Sequence, residues 1–216
     1  RNVAGLIAAG LVRAGDRAAL AQVAARYAVA VTPAVAALID PADPADPIAA
    51  QYVPHPDERL VAPDEHPDPI ADEALSRVKG IVHRYPDRAL LKPLLTCPVY
   101  CRFCFRREQV GPDGGVLTEA ELDAALGYIE ARPAIREVIL TGGDPLMLSA
   151  RRLRALLGAL ERIPHVETLR IHTRVPVAEP SLVTDALAEA LTTDKALWVM
   201  VHVNHARELS PSARAA

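Results

Sequence analysis

Apolar residues follow two different patterns along the chain, and the change between them divides it. Over residues 3–39 they recur at helical spacing, with Leu20, Val23, Ala24 and Tyr27 on one stripe and Thr32-Pro33 opening a further short helix. Residues 1–39 therefore read as a small helical appendage. Residues 40–70 hold eight of the chain's 19 prolines, among them Pro41, Pro44, Pro47, Pro54, Pro56 and Pro63. Proline fixes φ and removes a backbone donor, so this stretch reads as an extended connector and not as a packed element.

From residue 71 to 216 short apolar runs alternate with amphipathic stretches. The runs at 89–95, 138–141, 169–173 and 197–203 read as strands. Thr118 with Glu121 forms a capping box ahead of Leu122, Leu126 and Ile129, and Ser149 precedes Leu153, Leu156, Leu157 and Leu160. A third helix is expected after Pro180, carrying Leu182, Ala186, Leu187 and Leu191. Successive βα units predict an α/β fold with a parallel sheet and right-handed crossovers, either doubly wound or part of a barrel. In both, ligands sit at the carboxyl ends of the strands. The unusual residues fall at those ends: a cysteine loop after the first run, Gly142-Gly143-Asp144 after the second, Arg174 after the third, and the stretch holding His202, Asn204 and His205 after the fourth.

Composition narrows the function classes. Half of the 216 residues are hydrophobic, enough for a core and a soluble globular domain, and the net charge is only −3 with acids and bases interspersed. That favours small molecules over nucleic acid or a membrane surface as partners. The apolar run at residues 3–12 is far short of a membrane span. The sequence opens on Arg1, and Ser210-Pro211 reads as an N-cap with a first-turn proline, so a fragment of a longer protein, truncated at the C-terminus, is expected.

Cys97, Cys101 and Cys104 are the only cysteines. They are odd in number and too close together for a useful disulfide framework, which points to a reducing cytoplasm and a metal. Three thiolates spaced Cys-x3-Cys-x2-Cys can each take one iron of a 4Fe-4S cubane, leaving the fourth iron open to chelate a small molecule. A zinc knot is the alternative, although no histidine or further cysteine lies within ten residues of the loop to complete four ligands. A non-catalytic iron-sulfur or zinc-binding protein would use the same loop for structure or electron transfer.

The stretch Cys97-Pro98-Val99-Tyr100-Cys101-Arg102-Phe103-Cys104 resembles the signature of radical S-adenosylmethionine enzymes, including the aromatic residue before the last cysteine. More narrowly, five segments resemble the lysine 2,3-aminomutase family from about residue 60 onward. They are His83-Arg84-Tyr85-Pro86-Asp87-Arg88, Cys104-Phe105-Arg106-Arg107, Thr141-Gly142-Gly143-Asp144, Ile171-His172-Thr173-Arg174-Val175-Pro176 and His202-Val203-Asn204-His205.

The resemblance implies a partial radical SAM (β/α) barrel. Its 4Fe-4S cluster, on Cys97, Cys101 and Cys104, would cleave S-adenosylmethionine to a 5′-deoxyadenosyl radical. It further implies S-adenosylmethionine contacts at Gly142, Gly143 and Asp144, pyridoxal phosphate contacts at Arg84, Tyr85 and Arg88, and a grip on the substrate carboxylate by Arg106. The implied reaction is an isomerisation, moving an amino group from the α to the β carbon of L-lysine or a lysine-like amino acid. A cytoplasmic electron donor is implied as partner, and homo-oligomerisation is left open. A closely related alternative makes β-lysine for the modification of elongation factor P. None of Lys79, Lys92 and Lys195 matches the family lysine that anchors pyridoxal phosphate, which is expected beyond Ala216 together with the acids that bind the substrate side-chain amine. His172, Arg174, His202, Asn204 and His205 receive no catalytic role. Strand alternation would put His172 and Arg174 on one shared face.

Overall fold

The computed structural model describes residues 2–111 and 114–216. Its centre is one five-stranded sheet in the order β1-β2-β3-β4-β5, built from β1 (Ile81–Tyr85), β2 (Arg88–Leu94), β3 (Glu137–Gly142), β4 (Thr168–Thr173) and β5 (Ala196–Val201). Strands β2 to β5 are parallel, each beside the next in sequence. Crossovers that always step one place in the same direction keep their helices on one face, as in a barrel, whereas a doubly wound sheet reverses and covers both faces. The architecture is that of a partial (β/α) barrel. Three of the four expected strands lie within one residue of their predicted limits, and the last stops at Val201 instead of 203.

The helix-bearing face forms the main core. Leu91, Leu140, Leu169 and Ile171 from the strands meet Ile129 of α5 (Glu119–Glu130) and Leu153, Leu157 and Leu160 of α6 (Ala150–Glu161), all fully buried. Each such side chain contributes about 1.5–3 kcal/mol relative to exposure. Both helix starts are as predicted: Thr118 Oγ1 accepts from Glu121 N at 3.3 Å while Glu121 Oε2 accepts from Thr118 N at 2.9 Å, and Ser149 Oγ accepts from Arg152 N at 3.4 Å. The third helix starts later than predicted. Pro180–Leu182 is a single 3-10 turn, and Thr184 Oγ1, accepting from Leu187 N at 3.2 Å, caps a short helix at Asp185–Ala190.

The opposite, concave face is lined by charge, with Arg88 and Lys92 on β2, Glu137 on β3 and Arg170 on β4. At its far edge β5 exposes Trp198 and Met200. One further strand, β1, has no counterpart among the four apolar runs. β1 runs antiparallel to β2, with Tyr85 opposite Arg88 across a two-residue turn of Pro86 and Asp87. Only its first two residues are buried, so a polar His-Arg-Tyr tail hides the strand from an apolar search. The Asp87 carbonyl ties the turn to β3, accepting from Arg136 N at 2.8 Å and Glu137 N at 3.2 Å.

The expectation of an unpacked connector is corrected. Within residues 40–70, Gln51 and Tyr52 of a short helix, α4 (Ala49–Tyr52), and the preceding Asp46 and Ile48 are buried. Ile48 and Tyr52 pack with Val35 of α3 (Pro33–Ala36) against Val99 in the cysteine loop and Ala178 after β4. Val23 of α2 (Arg17–Ala24) and Tyr27 similarly pack against Tyr100. The predicted helicity of residues 3–39 is realised as short helices, the first, α1 (Val3–Ala8), followed by Gly10 at φ +70°. Among the described residues no helix is long and apolar enough to cross a membrane.

Asp46 shows how the proline-rich stretch is fixed. Its Oδ1 accepts from the amides of Ile48 and Ala49, both at 2.8 Å, and Oδ2 accepts from Asp40 N at 3.2 Å and from the Arg207 guanidinium. Burial alone would raise its carboxyl, but these donors outweigh burial and hold it down to about 2. A carboxyl depressed below its unfolded value, about 3.9, stabilises the fold above that pH and loses the contribution as pH falls toward 2. Asp46→Asn is expected to lower stability at pH 7 by about 1–3 kcal/mol and to flatten the acid limb between pH 4 and 2, measured by urea unfolding across that range.

Candidate metal centre

Strand β2 delivers the three cysteines to the carboxyl end of the sheet. The loop is closed at its base by Leu95, whose amide donates to Gly115 O and whose carbonyl accepts from Gly111 N, both at 3.0 Å. Within it Cys104 N donates to Cys101 O and Arg107 N donates to Cys104 O, each at 3.1 Å, so the chain turns tightly around the second and third cysteines. N-terminal segments hold it from outside. Tyr100 N donates to Ala30 O at 2.9 Å and Arg102 N to Gln51 O at 2.7 Å, while the nearly buried Arg102 side chain pairs with Glu58 at 2.9 Å and donates to Ala28 O at 2.8 Å.

The tip of β3 fixes the loop from inside. Gly143 N donates to Leu94 O at 2.8 Å and Asp144 N to Thr96 O at 2.9 Å. A Cβ on Gly143 would lie 2.4 Å from Thr96 O, and Gly142 has φ +100°, open to glycine at little strain. The two glycines are thus required for the β3 tip to touch the backbone that leads into Cys97. Asp144, read from the resemblance as part of a cofactor contact, has its carboxylate turned inward. Oδ1 accepts from Leu146 N at 3.1 Å and Thr173 Oγ1 at 2.7 Å, and Oδ2 from the amides of Arg174 and Val175 at 2.7 and 3.2 Å. With four donors engaged, the carboxylate fastens the ends of β3 and β4 together and has none of its usual acceptor sites left for a ligand.

The cysteines are unbridged and half-buried. Burial raises all three thiols, and for Cys97 the charges of Asp144, Cys101 and Cys104 add to it. The Arg174 guanidinium opposes the rise at Cys101, and the Arg106 amide with the Arg106 and Arg107 charges opposes it at Cys104. Three sulfurs so placed need a cationic partner to ionise together, which an iron cluster supplies. Among the described residues no three His, Cys, Asp or Glu side chains converge on a single ion. Three unbridged sulfurs on one short loop can each take a different iron of a cubane. The residues fit the cluster.

Arg174 was expected to share a face with His172. Instead its backbone turns out of the strand at φ −117°, ψ −2°, ahead of α7 (Val175–Ala178), and its buried guanidinium reaches Cys101 Sγ at 3.3 Å, Gln51 Oε1 at 3.0 Å and Glu208. Glu208, itself buried, also accepts from Tyr52 Oη at 3.0 Å and from the amides of Asn204 and His205 at 2.7 and 2.8 Å. This accounts for the Asn204-His205 motif: both form a cap that presents Glu208 to Arg174. His202 stays exposed, edge-on to the Phe103 ring with centroids 6.0 Å apart.

The remaining predicted residues separate into two places. Arg106 is buried, its Nε donating to Asp72 Oδ2 at 2.6 Å, with Lys92 Nζ 3.7 Å from the same oxygen. Asp72 carries no signal in the sequence, and Lys92 was considered there only as an anchor for pyridoxal phosphate, which it does not match. Asp72 lies in the stretch without periodicity, brought inward just after Ala71 at φ 54°, a sparsely populated conformation. Arg84, Tyr85 and Arg88 lie on the β1–β2 hairpin, at the other end of β2, about 20 Å from the cysteine loop at strand rise. Arg88 is 3.5 Å from Glu137, whose Oε1 lies 2.6 Å from Arg170 Nη2, within ion-pair reach but out of line for a hydrogen bond.

The winding of the sheet and the three-cysteine loop at its carboxyl end define an α/β enzyme domain built around a metal cofactor. Residues 91–209 match the Radical SAM superfamily, and the chain belongs to it. It is 38% identical over 188 residues to the L-lysine 2,3-aminomutase of Acetoanaerobium sticklandii, covering 87% of this chain and 45% of that protein. Against the L-lysine 2,3-aminomutase of Escherichia coli it is 39% identical over 176 residues, 81% of this chain and 51% of the relative. Against the glutamate 2,3-aminomutase of Clostridioides difficile it is 33% identical over 195 residues, 90% and 46%. The chain spans about half the length of these curated relatives. Family membership implies a 4Fe-4S cluster and S-adenosylmethionine as cofactors.

Two glycines test the packing of the loop. Gly143→Ala is expected to destabilise by about 1–3 kcal/mol and to reduce retained iron, because its Cβ would meet only backbone, of Leu95 and Thr96, which cannot swing aside. Gly127→Ala, in α5 with nothing within 4 Å of the added Cβ, is expected to stabilise by about 0.5–1 kcal/mol and leave iron unchanged. Urea midpoints with iron assays on both variants check the pair.

Proposed function

We propose that this chain is the radical-generating part of an aminomutase that moves an amino group from the α to the β carbon of L-lysine or a lysine-like amino acid. Cys97, Cys101 and Cys104 would hold the cluster. Gly142 and Gly143 would let the β3 tip approach S-adenosylmethionine, while Asp144 keeps that tip joined to β4. The observation that carries the reading is the position of the three unbridged cysteines on one short loop at the carboxyl end of β2, seated directly on the Gly-Gly tip of β3.

Pyridoxal phosphate is proposed as second cofactor, its phosphate held near Arg84 and Arg88 and its ring near Tyr85. A molecule anchored there and extending up the concave face would bring an amino-acid carboxylate toward Arg106. The charges along this path support that orientation. Glu137 is shared between Arg88 and Arg170, Asp72 between Lys92 and Arg106, and Asp87 also pairs with Arg88, so four cations face three acids. The surplus of positive charge suits two anions, a phosphate at one end and a carboxylate at the other.

When bound, the cluster with S-adenosylmethionine supplies the hydrogen-abstracting radical, and pyridoxal phosphate carries the migrating nitrogen. The chain's own residues bind and orient. Asp72 accepts from Arg106 Nε and so fixes the guanidinium plane, leaving its two terminal nitrogens for a bidentate carboxylate. The lysine that anchors pyridoxal phosphate and the acids for a side-chain amine are expected in the part of the family that this chain does not span. A reducing cytoplasm is the compartment this chemistry requires.

Anaerobic reconstitution tests the reading. The expected result is about four irons per chain, a cluster spectrum that changes on adding S-adenosylmethionine, and release of 5′-deoxyadenosine under reduction. One tightly held zinc, or a cluster indifferent to S-adenosylmethionine, overturns it. Arg106→Lys keeps the charge but loses the fork, and is expected to raise roughly tenfold the amino-acid concentration needed to stimulate 5′-deoxyadenosine release, with iron content unchanged.

A further inference from the structure

We propose that Arg174 is a positioning residue that sets the reduction potential of the cluster through the sulfur of Cys101, with Glu208 opposing it. The proposal rests on the assignment of the cysteines as cluster ligands. Among the described residues, Cys101 is the one cysteine whose sulfur receives a side-chain donor, Arg174 Nη1 at 3.3 Å. The donor is not a surface group in passing contact: Arg174 is 8% exposed, with its guanidinium carbon 5.2 Å from the Tyr52 ring centre and 5.5 Å from that of Phe103.

The other terminal nitrogen of the guanidinium holds this aim. Nη2 donates to Gln51 Oε1 and to Glu208, and the backbone amide is fixed by Asp144. Nε is buried with no acceptor. A guanidinium serving only to neutralise Glu208 would reach its lowest energy as a two-pronged pair with that carboxylate. This one gives a single nitrogen to Glu208 and turns the other terminal nitrogen to sulfur.

The consequence follows from elementary electrostatics. Reduction adds one electron, from a low-potential one-electron donor, to the cluster and its sulfur ligands, with no proton taken up. A hydrogen bond to a ligating sulfur and a buried positive charge beside it both favour the more electron-rich state and raise the potential. Glu208, joined to the same guanidinium, offsets part of that charge. The pair therefore predicts shifts of opposite sign when its two members are removed separately. A contact that only holds the fold together predicts no such opposition.

The test uses the full chain, reconstituted anaerobically with iron and sulfide, with the midpoint potential read by EPR-monitored potentiometry. Arg174→Gln is expected to give a more negative potential than wild type, Glu208→Gln a more positive one, and Arg174→Lys a smaller negative shift than Arg174→Gln. Unmoved potentials, or shifts of one sign in Arg174→Gln and Glu208→Gln, overturn the proposal. Should one of these two fail to assemble a cluster, the other decides by its sign; should both fail, Arg174→Lys decides, a wild-type potential overturning it. Failure of the underlying cysteine assignment is distinguishable, because wild type itself would then hold no four-iron cluster.

Discussion

Four stretches of chain far apart in sequence meet at one buried ion pair. Arg174 leaves the end of β4, Glu208 comes from the turn beyond β5, Gln51 and Tyr52 belong to α4, and Cys101 sits in the loop after β2. A buried guanidinium is tolerated only when nearly all of its donors are engaged, and a buried carboxylate likewise. Here each partly satisfies the other, and the elements that must come together supply most of the remaining partners, with Arg174 Nε left without an acceptor. Loss of either partner would leave a desolvated charge in the middle of all four. The cysteine loop therefore owes its shape less to its own sequence than to what surrounds it.

The barrel and its helices were legible because their signals are local. Capping at Thr118 and Ser149 and the leucine stripe of α6 depend on residues three or four apart, and the structure realises them where predicted. Strand β1 was not legible, since its alternation dissolves into His83, Arg84 and Tyr85 after two buried residues. The proline-rich stretch misled for a different reason. Proline forbids regular pairing, but it does not forbid burial, and Asp46 provides side-chain acceptors for backbone amides that no helix or strand takes up.

The candidate site divides in the same way. Three cysteines and a Gly-Gly turn stand out because few other roles require such residues at such spacing. Asp72, Lys92, Tyr52 and Glu208 do not stand out, because an aspartate or tyrosine in an aperiodic stretch resembles any surface residue until its partner is known. Asp144 shows the reverse: a residue conspicuous by its motif turns out to close the gap between two strand ends, accepting from Thr173, Arg174 and Val175. Arg174, given no role from the sequence, carries the one side-chain hydrogen bond to a cysteine sulfur among the described residues.

The clamp on the cysteine loop also bears on the order in which the molecule is put together. Gln51 meets Arg174 across 123 positions and Tyr52 meets Glu208 across 156. Closing spans of that length is entropically dearer than forming the neighbouring hairpin or helix, and such contacts dominate slow folding. The thiols thus acquire their final mutual placement only once early and late portions of the polypeptide have joined, and iron arriving sooner would find three sulfurs on an unshaped tether.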